Sequence, residues 1–391
     1  MVSLFVRSDA TLVFDDGSER SARALALDGI AVGAAWRAQG VVAGDRVAVR
    51  MSNQADYVRA LLGCAAIGAV AVSVNTRYSG DEVDELVERS GARFVVGEGD
   101  VPSTVADRSV ATGARADRLF VVFTTSGTTS RPKMVVHRQR SIVDHAHDVA
   151  AAFAYGPADV VMVAMPLCGT FGLASLMGAV AGDCRVIVTD YDTERAARTI
   201  ERERVTCVNG SDDMFHRLLE HGADLSTIRL GGYARFNSSL DAIVERAAAA
   251  GATLVGLYGM SEVQALFSVR STDAPASERV RPGGRLVSPR AAYRVVDDEL
   301  QLRGPSLFAG YLAEGGDAID TELTAAHHLD GWFRTGDVAA TDGDRTFEYV
   351  TRMGDVLRLG GFLVSPAEIE SALMEVDGVE AVQVVAVDRP E

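Results

Sequence analysis

The sequence predicts an α/β fold: a large N-terminal unit of layered βαβ sheets, a smaller β-rich unit, and the beginning of a small α+β unit. Three observations lead there. Val-rich apolar runs alternate with helical patterns along most of the chain. A hydrophobic content of 48% over 391 residues can fill a core spread over two or three packed units. The texture changes to short strands broken by Gly and Pro near residue 280, and changes again after Thr351.

The elements follow in order. Arg46 to Met51 reads as a strand, Ala55 to Gly68 as a helix, Val70 to Val74 as a strand, Gly80 to Ser90 as a helix and Arg93 to Val96 as a strand. Such repetition implies parallel strands covered on both faces. Leu119 to Phe123 is a strand, and Val160 to Gly182 reads as a buried strand, loop and helix. Asp183 to Val188, Thr206 to Asn209 and Thr253 to Tyr258 read as strands. Between them Thr193 to Arg204, Asp212 to His221 and Leu240 to Ala250 read as helices. Residues 1–352 form the expected core, with a β-rich part over about 280–352 that includes strands Ala292 to Val296 and Glu299 to Arg303. Residues 353–391 would hold a hinge and a truncated small domain. Its first helix starts at Ser365-Pro366-Ala367-Glu368, where Ser caps, Pro opens the first turn and Glu closes a capping box; Gly378 ends it, before a strand over Val379 to Val387.

A formal net charge of −16 argues against nucleic acid as a partner, since phosphate-neutralising proteins carry net Lys and Arg on the binding face. The four cysteines, Cys64, Cys168, Cys184 and Cys207, form no C-x-x-C pair, which disfavours zinc or a disulfide framework and fits a reducing, cytoplasmic setting. The N-terminal MVSLFVRSDATLVFDD meets charge before a signal-length apolar run can build. Val160 to Gly182 is uncharged, but Pro166 and several glycines interrupt it, so no membrane span is expected. Of 38 basic residues a single one is lysine, Lys133.

That lysine ends a notable loop. The strand over Leu119 to Phe123 runs into Thr124-Thr125-Ser126-Gly127-Thr128-Thr129-Ser130-Arg131-Pro132-Lys133, whose hydroxyl and N–H groups can converge on phosphate oxygens. It is not a Walker A loop, because G-x-x-x-x-G-K-[ST] is absent.

Here the sequence resembles the adenylate-forming superfamily of acyl-CoA synthetases, adenylation domains and luciferases, from about Asp45 onward. The loop is the first motif, with Ser130 where Gly is commoner and Met134 for the usual Gly. Tyr258-Gly259-Met260-Ser261-Glu262 resembles Y-G-x-T-E. Gly304-Pro305 with Gly310-Tyr311 resembles the R-G-P…G-Y segment. Trp332-Phe333-Arg334-Thr335-Gly336-Asp337 resembles W-x-x-T-G-D, and Arg352-Met353-Gly354-Asp355 to Glu368-Ile369-Glu370 resembles the hinge region.

The resemblance implies ATP-dependent activation of a carboxylic acid to an acyl-adenylate, followed by transfer to the thiol of CoA. In it Lys133, Glu262 and Thr125 are the catalytic set. Thr125, Ser126, Gly127, Thr128 and Thr129 would hold the β- and γ-phosphates, and Glu262 with Thr125 would bind Mg²⁺. Tyr258, followed by Gly259, Met260 and Ser261, would face the adenine with the backbone of Gly231-Gly232-Tyr233. Asp337 and Arg352 would reach the ribose, and Gly354 would be the hinge. Gly360-Gly361 would line the channel for a pantetheine thiol.

The implied acid pocket comprises Cys168, Gly169, Phe171, Asn209, Asp212, Asp213 and Tyr233. Pro166-Leu167-Cys168-Gly169 resembles P-L-F-H with its aromatic and His replaced, while Tyr233 in the place of Ala would narrow the pocket. A compact polar or aromatic acid is expected, with an amine or hydroxyl meeting Asp212 or Asp213; the alternative is that both Asp residues only begin a helix, as cap and first-turn acids. The family's C-terminal lysine has no counterpart after Lys133, so the chain is expected to bind ATP or an adenylate and to turn over poorly. Competing readings are a stand-alone enzyme loading a carrier protein, a relative activating nitrite, and an inactive nucleotide-binding module. A homodimer is left open alongside the monomer.

Overall fold

The computed structural model describes residues 1–102, 116–125, 131–236, 240, 242–316 and 318–353, and only short stretches or single positions beyond. Ser126, Gly127, Thr128, Thr129, Ser130, Gly354, Gly360, Gly361 and the helix start at Ser365 to Glu368 lie outside the described residues, as does most of Val379 to Val387.

Two large sheets organise the chain. The seven-stranded sheet has a parallel core, Phe94–Val96, Arg46–Val49, Val70–Ser73 and Leu119–Thr124. Beyond it Met134–Arg138 and Gly310–Leu312 join antiparallel. The fourteen-stranded sheet has its own parallel core of Thr11–Phe14, Arg185–Val188, Val160–Val163, Cys207–Ser211, Leu230–Ala234 and Leu254–Tyr258. From Leu254–Tyr258 it continues through antiparallel strands to Glu299–Arg303 and Ala292–Val296. The β-rich segment expected near 280 is therefore hydrogen-bonded into the large sheet through Ser268–Val269 and Gly283–Leu286, not set apart from it.

Helices fill and cover these sheets. The main core cluster joins residues of both sheets with helices Val2–Arg7, Ala22–Ala38, Ala55–Ile67, Gln139–Ala152 and Thr170–Ala181. Thr193–Glu203, Asp212–Glu220 and Ile243–Ala249 cover the other face of the large sheet. Gly80–Ser90 covers that of the small one. The inner parallel strands are thus buried on both sides, which is why their sequences read as continuous Val-rich runs, while the edge strand Phe94–Val96 leaves Val95 exposed. Among the described residues no helix is long and apolar enough to cross a membrane.

Helix Gly80–Ser90 shows how local chemistry sets the bounds. Ser79 and Glu82 form a complete capping box, and Gly91 ends the helix at φ 61°. The crossing of Ala22–Ala38 with Ala55–Ile67 depends instead on small residues. A Cβ on Gly33 would lie 2.7 Å from the Gly63 carbonyl oxygen, so a side chain there forces the helices apart.

The Gly33→Ala variant is expected to lose about 1–3 kcal/mol of stability by overpacking. Gly80→Ala, whose Cβ would meet nothing within 4 Å, is expected to stay within about 0.5 kcal/mol. Urea midpoints of the two variants against the parent check this.

Candidate nucleotide-binding site

The site is built where the two sheets meet. Leu119–Thr124 ends at the hydroxyl-rich loop, and Thr125 and Lys133 close that loop at its base. The Thr125 N–H donates to the Lys133 carbonyl at 3.0 Å, and the Lys133 N–H donates to Thr125 Oγ1 at 3.2 Å. This pairing presents Lys133 beside its antiparallel return strand, Met134–Arg138.

The segment after strand Leu254–Tyr258 is fixed by long-range bonds. His137, fully buried, bonds through Nε2 to the Ser261 carbonyl at 2.7 Å. Burial pushes this imidazole down to about 4, so it is neutral at physiological pH and donates its Nε2–H there. The Phe308 N–H donates to the Glu262 carbonyl at 2.8 Å, and the Ala309 N–H donates to the Val136 carbonyl at 2.7 Å. The Tyr311 hydroxyl then donates to Glu262 Oε1 at 2.9 Å. Glu262 is only 4% exposed, and a buried carboxylate needs such a donor.

The backbone around Glu262 is unusual. Gln264, Ala265 and Leu266 take φ of 69°, 52° and 41°, three consecutive non-glycine residues in the left-handed region, where each costs about 1–2 kcal/mol. Besides backbone bonds such as the Ala265 N–H donating to the Met260 carbonyl at 3.0 Å, two side chains hold the turn: His145 Nε2 donates to the Ala265 carbonyl at 3.1 Å, and Gln264 Nε2 donates to the Ser306 carbonyl at 3.0 Å. The turn folds back so closely that a Cβ on Gly259 would lie 2.4 Å from Ala265 Cα.

A second cluster flanks this one. The Tyr258 hydroxyl donates to Asp337 Oδ2 at 2.6 Å, and the Tyr258 ring packs edge-on against Phe347, with centroids 5.2 Å apart. Asp337 and Arg352 face each other as a cross-strand pair, Nη1 to Oδ1 at 3.6 Å. Burial raises the Asp337 carboxyl, while the Tyr258 hydrogen bond and Arg352 oppose the rise. For Lys133, burial lowers the ammonium, Glu262 raises it and Arg352 lowers it. Lys133 and Asp337 thus each lie within electrostatic reach of both Glu262 and Arg352.

Beside the loop opens a cavity of about 490 Å³, lined by Thr124, Thr125 and Pro132 on one side and by Cys168, Gly169 and Phe171 on the other. A second of about 410 Å³, holding Asp213 and Tyr191, shares Asn75, Met165, Pro166 and Cys168 with it. Burial pushes the Cys168 thiol up to about 11, so it is no nucleophile at neutral pH. Asn209 is buried on the Ser175 and Tyr155 hydroxyls, with its Oδ1 unpaired.

Two sequence expectations for the acid pocket are corrected. Side chains alternate along Leu230–Ala234. A Cβ on Gly232 would point at Asn209 and Phe153, whereas the Tyr233 ring lies in the core on the opposite face and its hydroxyl donates to the Val280 carbonyl at 2.9 Å. Tyr233 therefore does not narrow the pocket, and Ala234 shares the face of Gly232. Asp212 is 1% exposed, and its carboxylate accepts from the N–H groups of Asp213, at 2.8 Å, and Phe236, at 2.7 Å. It anchors backbone instead of facing the cavity. Asp213 does reach the cavity wall, paired with Arg217 at 2.8 Å. The helix cap is Ser211, not Asp212. Sequence reading also passed over His137, His145 and His327, whose partners lie far along the chain, and gave Tyr311 no role although it lies in the G-Y motif.

A hydroxyl-rich loop on a strand end, a buried acid beside the lone lysine, and an Asp–Arg rung under a tyrosine define a nucleotide-binding α/β enzyme. The chain belongs to the AMP-binding enzyme family, whose model matches residues 6–312. It is 28% identical over 402 residues to a feruloyl-CoA synthase of Amycolatopsis sp, spanning 90% of this chain and 78% of that protein. It is 25% identical over 398 residues to a long-chain-fatty-acid–CoA ligase of Mycobacterium tuberculosis, with 89% and 76% covered. The fold superimposes on the ATP-bound crystal structure of MatB from Rhodopseudomonas palustris with a TM-score of 0.86 at 21% identity, covering 98% of this chain and 85% of that one.

Replacing Asp212 with Ala is expected to cost about 1–3 kcal/mol, because buried N–H groups lose their acceptor. Asp213→Ala removes only an exposed i,i+4 pair and is expected to cost less than about 0.5 kcal/mol. Equal losses in chemical denaturation would contradict the placement of Asp212.

Proposed function

We propose that this protein activates a compact polar or aromatic carboxylic acid with ATP and passes the acyl group to the thiol of CoA, in a cytoplasmic setting. The convergence of Lys133, Glu262, Asp337 and Arg352, in a chain of the AMP-binding family, carries the reading. The carboxylate oxygen attacks the α-phosphorus, the bond to the β-phosphate breaks, and pyrophosphate leaves with its electron pair. The thiol sulfur then attacks the acyl carbon, loses its proton to solvent, and AMP departs.

The chain's part is to bring two anions together and offset their repulsion. Lys133 at the loop base supplies positive charge to the phosphates. Asp337 accepts from the ribose hydroxyls while Arg352 and Tyr258 hold its carboxylate. The oxygen donors Glu262 and Thr125 fit Mg²⁺, an ion that commonly takes one or two protein ligands and fills its shell with phosphate and water. When bound, that ion adds charge neutralisation to the phosphates.

The cavity beside the loop, bounded by Cys168, Gly169 and Phe171, mixes apolar wall with the polar side chains of Ser73, Asn75 and Tyr78, which suits an aromatic acid bearing a polar group. The relative named for feruloyl-CoA supports this choice. Pyrophosphate exchange across a panel of aromatic, short polar and long-chain acids tests it: small aromatic or polar acids are expected to lead, and preference for long-chain acids rejects it. Consumption of free CoA in the same assays separates CoA from a carrier protein as acceptor.

The Asp337 environment gives a pH prediction. The ionised carboxylate accepts from the ribose, so AMP affinity falls as pH drops through the Asp337 titration, which burial has raised. The Tyr258 hydroxyl favours the ionised form, so Tyr258→Phe raises that titration further and moves the acid limb of AMP binding to higher pH. Calorimetric titration of AMP against pH checks the direction.

A further inference from the structure

The chain's one lysine is held by a segment that the nucleotide chemistry above does not use. Lys133 Nζ lies 2.8 Å from His327 Nε2 and 5.0 Å from the centroid of the Tyr311 ring. His327 caps the end of helix Thr321–Ala326, and its Nδ1 is 3.0 Å from the Leu323 carbonyl oxygen one turn back. A carbonyl can only accept, so Nδ1 carries the ring proton and Nε2 turns a lone pair to the ammonium. The imidazole also packs edge-on to Tyr311, with centroids 5.1 Å apart, which fixes its plane. Tyr311 in turn donates to Glu262. One half-buried ring thus fastens the loop lysine to the acid-bearing side of the site.

A free lysine is a flexible four-carbon stem with three rotatable donors. Fixing one donor on a neutral acceptor and resting the ammonium on an aromatic face leaves the other two donors with a defined direction.

We propose that His327 is a positioning residue that accepts one N–H of Lys133 through Nε2 and so aims the lysine at the polyphosphate. Its ligand is the pyrophosphate group of the nucleotide, which rests on the function proposed above; the contact itself stands on the geometry alone. A guanidinium in place of Lys133 would lack the compact ammonium that this pocket of one lone pair and one ring encloses.

The single lysine makes the test direct. The 391-residue chain labelled with 13C at lysine Cε gives one lysine resonance, which reports both the surroundings of Lys133 and its response to added inorganic pyrophosphate or ATP. His327→Phe keeps an aromatic ring against Tyr311 and deletes the acceptor, while His327→Gln keeps an acceptor of similar reach. Phe is expected to shift and narrow the free-state resonance as the side chain gains motion, and to weaken pyrophosphate about tenfold, the scale of one charge-assisted hydrogen bond. Gln is expected to restore affinity to within about threefold. If the Phe variant does not fold, His327→Leu supplies the comparison without an acceptor. Unchanged resonance and affinity in the Phe or Leu variant, or a Gln variant as weak as they are, overturns the role of His327 alone. A parent protein whose Lys133 resonance ignores both pyrophosphate and ATP overturns the nucleotide reading, and this proposal with it.

Discussion

The site depends on keeping one carboxylate, that of Glu262, almost wholly out of water. An acid in that position costs several kcal/mol unless a donor meets it, and the donor comes from the other sheet. Tyr311 reaches it from Gly310–Leu312, a strand paired to Met134–Arg138, and His137 on that same strand bonds the carbonyl just before it. Satisfying Glu262 therefore requires the two sheets to meet at this point. The meeting brings the loop lysine beside the acid and leaves a crevice between the loop and the segment around Cys168. The left-handed run Gln264 to Leu266 belongs to the same constraint, since the chain must turn back at once after Glu262 to continue the large sheet.

Electrostatics is local in this protein. A net charge of −16 repels a nucleotide at long range, so attraction must be concentrated where the phosphates lie. Lys133, influenced by Glu262, and Arg352, paired with Asp337, supply it. The two buried histidines, His137 and His145, both pushed down to about 4, add no charge. They act as rigid donors to backbone carbonyls, which keeps the positive potential at the lysine and arginine.

The parallel cores were legible in the sequence because both faces of their inner strands are buried, which writes a continuous apolar run. Helix Gly80–Ser90 was legible to the residue because a capping box starts it and a glycine ends it. Helix Ala22–Ala38 was not: Ala and Gly occupy both its buried and its outer positions, so its burial pattern writes little hydrophobic contrast into the sequence. The large sheet's continuation past residue 280 was also hidden, since a change of texture does not say which strands pair. Motif order singled out Glu262, Asp337 and Arg352 as candidates, but face assignment failed at Tyr233, where a double glycine leaves no side chain to mark the alternation. Asp212 was misplaced for a related reason: the sequence shows a carboxylate without showing the buried amides it serves. The partners His137–Ser261 and Lys133–His327 are separated by 124 and 194 residues, and nothing local announces them.

The cross-strand rung of Asp337 and Arg352 has a mechanical consequence. It is the last rung between those strands, closed by the Met353 N–H donating to the Gly336 carbonyl at 2.8 Å. Backbone bonds on both strands therefore fix the spacing of these two side chains, so the gap between a buried acid and a half-exposed guanidinium is set by the sheet and not by side-chain rotamers alone.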